Sequence, residues 1–372
     1  MRRVSVHNLR PGMELAKKIT HGDGAPLLNA GVKLESKYIR ELIRMNISTV
    51  YVHDNLIPDI EIEDVILEET RERAINQVHI ALTGLKQAGD NVSIHKILNV
   101  KKDLTVVLDD IVSQLLGNQE LTINLSDIRS ADSYTFSHSV NAAILAIMTA
   151  INMGSKKTAL ENLGLGVFLH DLGKITIPLN ILNKPGLLNE AERKEMMRHP
   201  QYGFNLIRHK EVFSNSSLAI IRNHHERIDG SGYPQGLTID NLDLYSKICA
   251  VTDVYDALTS DRPYRPGFAP HRAMEILESE SAGFDLQVLQ TFYRHIAAYP
   301  IGTIVGLSNG LIGVVINNTY GYPTRPQVRI FAERENFVPV KQYEINLKDI
   351  LNLVIERVYE DHEMPKHLLN KG

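Results

Sequence analysis

Two histidines stand side by side in RNHHERIDGSGYPQG, residues 222–236. Four other stretches bring side chains of the same kind: His138 in YTFSHSVN, His170 and Asp171 in FLHDLGK, His199 in MMRHPQYG and Asp253 in VTDVYDALTS. Imidazoles with carboxylates are the ligand set of iron, manganese, nickel or zinc. A lone histidine such as His138 or His199 is ordinarily a hydrogen-bonded residue of core or surface, and ten further histidines, His79, His209 and His295 among them, are read that way. Adjacency changes the reading of the rest. Neighbouring residues on a helix point about 100° apart. An HH or HD pair therefore serves one ion poorly and two neighbouring ions well, and Asp171, with two oxygens, can bridge them. Two divalent cations would have their charge reduced by Asp171, Asp253 and a bridging hydroxide, and the residual positive charge suits a phosphate oxygen. Two such ions about 3.5–4 Å apart lower the pKa of the water between them and clamp the oxygens of an in-line displacement. The expected chemistry is phosphoester hydrolysis by a metal-bridging hydroxide, with no covalent intermediate.

Three cations nearby fit that chemistry. Lys174 follows Asp171 by three residues and can place an ammonium near metals and phosphate, while SDRPYRP supplies Arg262 and Arg265 shortly after Asp253. Guanidinium forks suit bidentate phosphate contacts. The loop glycines Gly230, Gly232 and Gly236 do not form a dinucleotide-binding signature, which must follow a strand and open a helix, whereas these follow a helix. With Pro234 they let the backbone turn sharply after the double histidine. Tyr233 then sits at the mouth of the metal site as a ring for packing or for stacking on a base.

These stretches need a scaffold, and the patterning describes one. Residues 4–52 alternate turn signals with short apolar runs and include one helical pattern, KYIRELIRM, so residues 1–60 read as a small β-rich domain. Residues 61–120 read as a helical connector that can pair with a second subunit, and 121–298 as a long helical block. Residues 299–372 form a second small β-rich unit with a terminal helix or tail, its strands predicted in YPIGTIVGLSNGLIGVVINN and PQVRIF. The fold class is mainly α, with a β-rich unit at each end. At 372 residues, 43% hydrophobic and 23% charged, the chain calls for two or three folded units. A formal net charge of −4 argues against a protein that grips DNA by neutralising its phosphates. The single cysteine, Cys249, among apolar neighbours, indicates a buried inert thiol and a reducing, cytoplasmic setting. The most apolar long run, VNAAILAIMTAINMG, falls short of the roughly 20 residues that span a bilayer and reads as a core helix.

Over roughly residues 125–295, HDLGK, RHP, HHERIDGSGYP and DVYDALTSDRPYR resemble the HD-GYP family in order and spacing. That resemblance implies an all-helical HD-type catalytic domain that hydrolyses cyclic di-GMP, or a related cyclic dinucleotide, to linear pGpG and in some members on to GMP. It implies that His138, His170, Asp171 and Asp253 hold one metal and His199, His224 and His225 the second, with Asp171 bridging. Iron and manganese are the expected ions. It also makes Asp171 and Lys174 catalytic, Lys174, Arg262 and Arg265 phosphate contacts, and Gly232, Tyr233 and Pro234 the name-giving triplet at the substrate. Some members hold a third metal with a glutamate one turn before the first histidine; here that position is Tyr134, so two metals are expected. A cyclic dinucleotide is the expected partner, with diguanylate cyclase proteins and a second copy of the chain as further candidates. Two rival readings stay open: another HD-type nucleotide hydrolase, and a regulator that binds a cyclic dinucleotide without turning it over.

Overall fold

Helix α4 (Tyr134–Asn152) is built from the apolar run VNAAILAIMTAIN, and Val140 to Ala150 are buried throughout, so the helix is wrapped by others on all sides. A computed structural model describes the chain apart from residues 21–25, 46, 48, 55–56, 61–63, 89–91, 119–121, 124–133, 262–266, 366–367 and 369–372, with Arg3, Thr20, Tyr134 and Thr135 described by backbone alone. Among the described residues no helix is long and apolar enough to cross a membrane.

At the N-terminus, strands β1 (Arg2–Ser5), β2 (Ile19–Thr20), β3 (Pro26–Leu28) and β4 (Thr49–Val52), with helix α1 (Ser36–Arg44), form two antiparallel pairs, β1 with β4 and β2 with β3. Two long helices follow, α2 (Glu68–Ala88) and α3 (Ile94–Gly117), and their inward residues Val78, Leu85, Leu104, Leu108 and Ile111 join one hydrophobic core with α4 and α5 (Lys157–Phe168). Burying each such side chain contributes roughly 1.5–3 kcal/mol. The helical block continues through α6 (Leu179–Leu182), α7 (Glu190–Met196), α8 (His199–Ile207), α9 (Asn215–Asn223), α10 (Leu244–Thr259), α11 (Pro270–Ser279) and α12 (Leu286–Tyr293). Side chains cap the helix starts where the backbone N–H groups lack partners: Asn189 and Glu192 form a capping box on α7, Ser214 caps α9, and Asp243 accepts from the N–H groups of Tyr245 and Ser246 on α10.

Two glycines let the helices close on the site. A Cβ at Gly173 would lie 1.8 Å from the carbonyl oxygen of His199, and one at Gly203 would lie 2.9 Å from the amide nitrogen of Gly173. Only bare backbone lets α8 press so closely on the short 3-10 helix Leu172–Thr176, and that approach sets His199 beside Asp171.

The C-terminal unit is a five-stranded antiparallel sheet of β5 (Ile304–Leu307), β6 (Leu311–Asn317), β7 (Gln327–Glu333), β8 (Val338–Asn346) and β9 (Ile355–Tyr359), ordered β8-β7-β6-β5-β9. The sequence reading reached β5, β6 and β7 but not β8 or β9, whose residues are mostly exposed or half-buried and so lack a clear apolar face. This sheet shares a core with the N-terminal unit, where Tyr51 and Ile57 pack with Ile304, Val314 and Tyr359. The buried guanidinium of Arg2 pairs with Asp54, 2.7 Å away, and with Asp361.

Candidate metal centre

Five imidazoles and two carboxylates converge from three helices and two helix ends. His138 lies on α4 and Asp253 on α10; His199 is the first residue of α8. His170 and Asp171 occupy the turn that follows α5, and His224 and His225 follow the last residue of α9. The adjacent pairs therefore sit where helices stop, and the 100° argument from helical periodicity does not govern them. His224 and His225 turn towards one another, with ring centroids 4.2 Å apart, and both group with His199 within 4.8 Å. His224 also groups with His170 and Asp253, so it stands between two candidate metal groups.

Four rings are held in the same way. Nδ1 of His170 lies 2.7 Å from the carbonyl oxygen of Val167, that of His199 2.8 Å from the carbonyl of Met196, and that of His224 3.1 Å from the carbonyl of Ile221. Nδ1 of His138 lies 2.7 Å from Oδ2 of Asp256. Each of these acceptors requires the proton on Nδ1, which leaves Nε2 of a neutral ring as a lone pair aimed at the centre. There Nε2 of His199 faces Nε2 of His224 at 3.2 Å, and Nε2 of His138 faces Oδ1 of Asp253 at 3.0 Å. Nε2 of His170, 3.4 Å from Oδ2 of Asp171, and Oδ1 of Asp171, 3.3 Å from Nε2 of His199, are buried with no hydrogen-bond partner.

Lone pairs opposed in this way need positive charge between them, and at His224 and His225 a proton is disfavoured by burial. Burial, then the neighbouring rings of His225, His170 and His199, holds His224 well below the usual histidine range. His225 is pushed down to about 3, first by burial. Burial works to raise the Asp171 carboxyl, but Lys174, with Nζ 2.6 Å from Oδ2, and His170 outweigh it, so Asp171 stays well below the carboxylate range. Neutral imidazoles and ionised carboxylates are the ligand forms a metal requires. The spacings also fit: donors about 2.1 Å from a shared ion lie about 3–3.4 Å apart at tetrahedral or octahedral angles. The residues present thus fit metal ions, in overlapping groups of His199, His224 and His225, of His138, His170 and Asp171, and of His170, His224 and Asp253.

The loop after the double histidine closes one side. Tyr233 stacks on His225 with ring centroids 4.7 Å apart, and burial raises its hydroxyl pKa, so it stays a neutral phenol. Gly232 is required by contact, since a Cβ there would lie 2.3 Å from the amide nitrogen of Arg227. Beyond Pro234, the amides of Gln235 and Leu237 donate to the buried Glu226 carboxylate at 2.7 and 2.9 Å. Arg262 and Arg265 lie outside the described residues, as does the side chain of Tyr134. Cys249 is buried, and burial raises its thiol pKa, as expected of an inert residue.

Two residues of this site escaped the sequence reading. Asp256 holds His138 and also accepts from Asn141 Nδ2 at 3.2 Å and from Ser260 Oγ at 3.0 Å. Its signal was present in DVYD, where a three-residue spacing puts Asp256 on the face of Asp253. Glu226 is the other; nothing local distinguished its carboxylate from a solvated one.

Residues 120–288 match the model of the HD domain family, and residues 304–367 that of the KOW domain associated with HD domain. A cyclic di-GMP phosphodiesterase of Pseudomonas aeruginosa is 35% identical over 241 residues, 65% of this chain and 58% of the relative. A 3'3'-cGAMP-specific phosphodiesterase of Vibrio cholerae is 36% identical over 193 residues, 50% of this chain and 43% of the relative. A cyclic di-GMP phosphodiesterase response regulator of Xanthomonas campestris is 30% identical over 218 residues, 58% of this chain and 57% of the relative. The chain spans about half the length of these curated relatives.

Proposed function

We propose that this chain is an HD-GYP-type metal-dependent phosphodiesterase acting on a cyclic dinucleotide, cyclic di-GMP first, to release linear pGpG; the match of residues 120–288 to the HD domain family and the similarity to a cyclic di-GMP phosphodiesterase support it. The observation that carries this reading is the set of four imidazoles whose Nδ1 atoms are committed to fixed acceptors while their Nε2 atoms meet two ionised carboxylates. In this reading His138, His170, Asp171 and Asp253 hold one ion and His199, His224 and His225 another, with Asp171 reaching both. Two bound divalent ions, iron or manganese, supply a water of lowered pKa and neutralise charge on a phosphodiester oxygen.

The chain's own groups do the rest. Lys174 keeps Asp171 ionised and brings an ammonium to the rim, where its side chain is partly exposed. Tyr233, locked against His225 by the loop that Glu226 anchors, excludes water from one side and presents its ring edge to a base. Arg262 and Arg265 take the substrate phosphates. Relatives named for both cyclic di-GMP and 3'3'-cGAMP support the cyclic dinucleotide class and put cyclic di-GMP first only by similarity.

The test is turnover by purified protein supplied with Mn(II) or Fe(II) on cyclic di-GMP, 3'3'-cGAMP, a deoxynucleoside triphosphate and an alarmone, with Asp171→Ala as control. Linear dinucleotide from a cyclic substrate, abolished in Asp171→Ala, is expected. Preference for the triphosphate or alarmone, binding without turnover, or an active Asp171→Ala protein would each refute the reading.

A further inference from the structure

A groove of about 440 Å³ lies between α8 with the turn after it and α9. Phe204, Arg208, His209, Asn215, Arg222 and Asn223 line it, and no carboxylate does among the described residues. Phe204 holds both guanidiniums, with that of Arg222 4.9 Å and that of Arg208 5.5 Å from its ring centroid. Neither arginine has a carboxylate partner among the described residues, and the buried Nε of Arg222 has no hydrogen-bond acceptor. Other arginines of this chain do find acids, Arg198 with Glu195 and Arg329 with both Asp59 and Glu344, while Arg325 is held by backbone carbonyls. Two forks, steadied on one ring and left without counter-charge, meet the requirement for a bidentate oxyanion site.

We propose that this groove binds a phosphomonoester, apart from the metal centre. Charge selects the ester. A monoester carries about −1.5 to −2 at neutral pH, whereas each diester phosphate carries one negative charge, so two guanidiniums side by side favour the former. The flanking amides of Asn215 and Asn223 offer donors and acceptors to a base or ribose. A link to the metal centre is built in: Asn223 precedes His224 and accepts from Gln235 Nε2, at 3.2 Å, in the loop that carries Tyr233. A nucleoside monophosphate, or the 5′-phosphate of a linear dinucleotide, therefore sets the position of α9 against α8. Naming product as the physiological ligand rests on the proposed phosphodiesterase reading; the anion site itself does not.

The experiment is calorimetric titration of the manganese-loaded full chain with GMP, with inorganic phosphate and with the unphosphorylated diester GpG, repeated in Asp171→Ala and in that variant carrying Arg208→Ala and Arg222→Ala. Comparing Asp171→Ala with and without the two arginine substitutions isolates the groove from any anion held at the metal centre, whether or not the phosphodiesterase reading stands. GMP and phosphate should bind Asp171→Ala protein, GpG should not, and the two arginine substitutions should weaken monoester binding roughly tenfold or more. Tighter GMP than phosphate identifies a nucleotide site and equal affinities a phosphate site, both within the proposal. Absence of monoester binding in Asp171→Ala, indifference to the arginine substitutions, or equal binding of GpG would overturn it. Arg208→Lys with Arg222→Lys should retain part of the affinity, which a merely misfolded variant would not.

Discussion

Replacing Asp256 by asparagine tests whether His138 works as a ligand because a second residue orients it. The carboxylate is buried and accepts from His138, Asn141 and Ser260. An alanine would leave three donors unpaired in the core at about 1–3 kcal/mol each. That sum, about 3–9 kcal/mol, rivals the roughly 5–15 kcal/mol that holds a domain folded, so alanine would confuse unfolding with loss of function. Asparagine keeps the volume and one carbonyl oxygen. With that oxygen on His138 and Ser260, its amide group faces the amide of Asn141, whose own oxygen already accepts from Arg71 at 2.9 Å. One bond is lost and one donor pair opposed, a stability cost of about 1–3 kcal/mol. The imidazole meanwhile loses the negative charge that raised its basicity, and changes of this kind cost about 10–100-fold in metal affinity or activity. Dialysis against graded chelator followed by elemental analysis measures the affinity, and turnover at saturating metal separates it from the chemical step. Asp256→Asn protein that is folded yet holds metal within twofold of wild type and turns over normally would refute the reasoning.

Three further outcomes are expected. Glu226→Gln can satisfy only one of the two amides that Glu226 now accepts, so the loop should loosen and kcat/KM fall by about tenfold with metal content unchanged; an unaltered kcat/KM would show that Tyr233 is held by other contacts. Metal-free protein should lose thermal stability as pH falls from about 6.5, the unfolded histidine value, towards about 3, because unfolded His224 and His225 take up protons that their folded forms resist. Depressed Asp171 and Asp253 add to the loss below about 4, and a melting temperature independent of pH between 7.5 and 5 would contradict this. Protein purified without oxygen should carry two metal ions per chain, since a phenol at Tyr134, with an unperturbed pKa near ~10, is a poor ligand; elemental analysis finding three tightly held ions would show that another residue supplies the missing ligand.

Much of this protein was legible in one dimension. Residue types suited to divalent ions, the glycine burst after the double histidine and the apolar run of α4 each carry their reason locally. Helix periodicity also placed α1, α2 and α3 within the stretches read as helical, and alternation with glycine turns placed β5 and β6. What could not be read was convergence. His138 and Asp253 are separated by more than a hundred residues yet meet at 3.0 Å, because α4 and α10 pack together in one core. Orientation was equally hidden. The atoms that fix each ring are backbone carbonyls at helix ends, or an aspartate on another helix, and a carbonyl has no signature in sequence. Periodicity could not settle how His224 and His225 turn, since α9 ends at Asn223 just before them. Sequence therefore determined which ligands this chain possesses; the crossing of its helices, as close as Gly173 allows, decided which of them face one another.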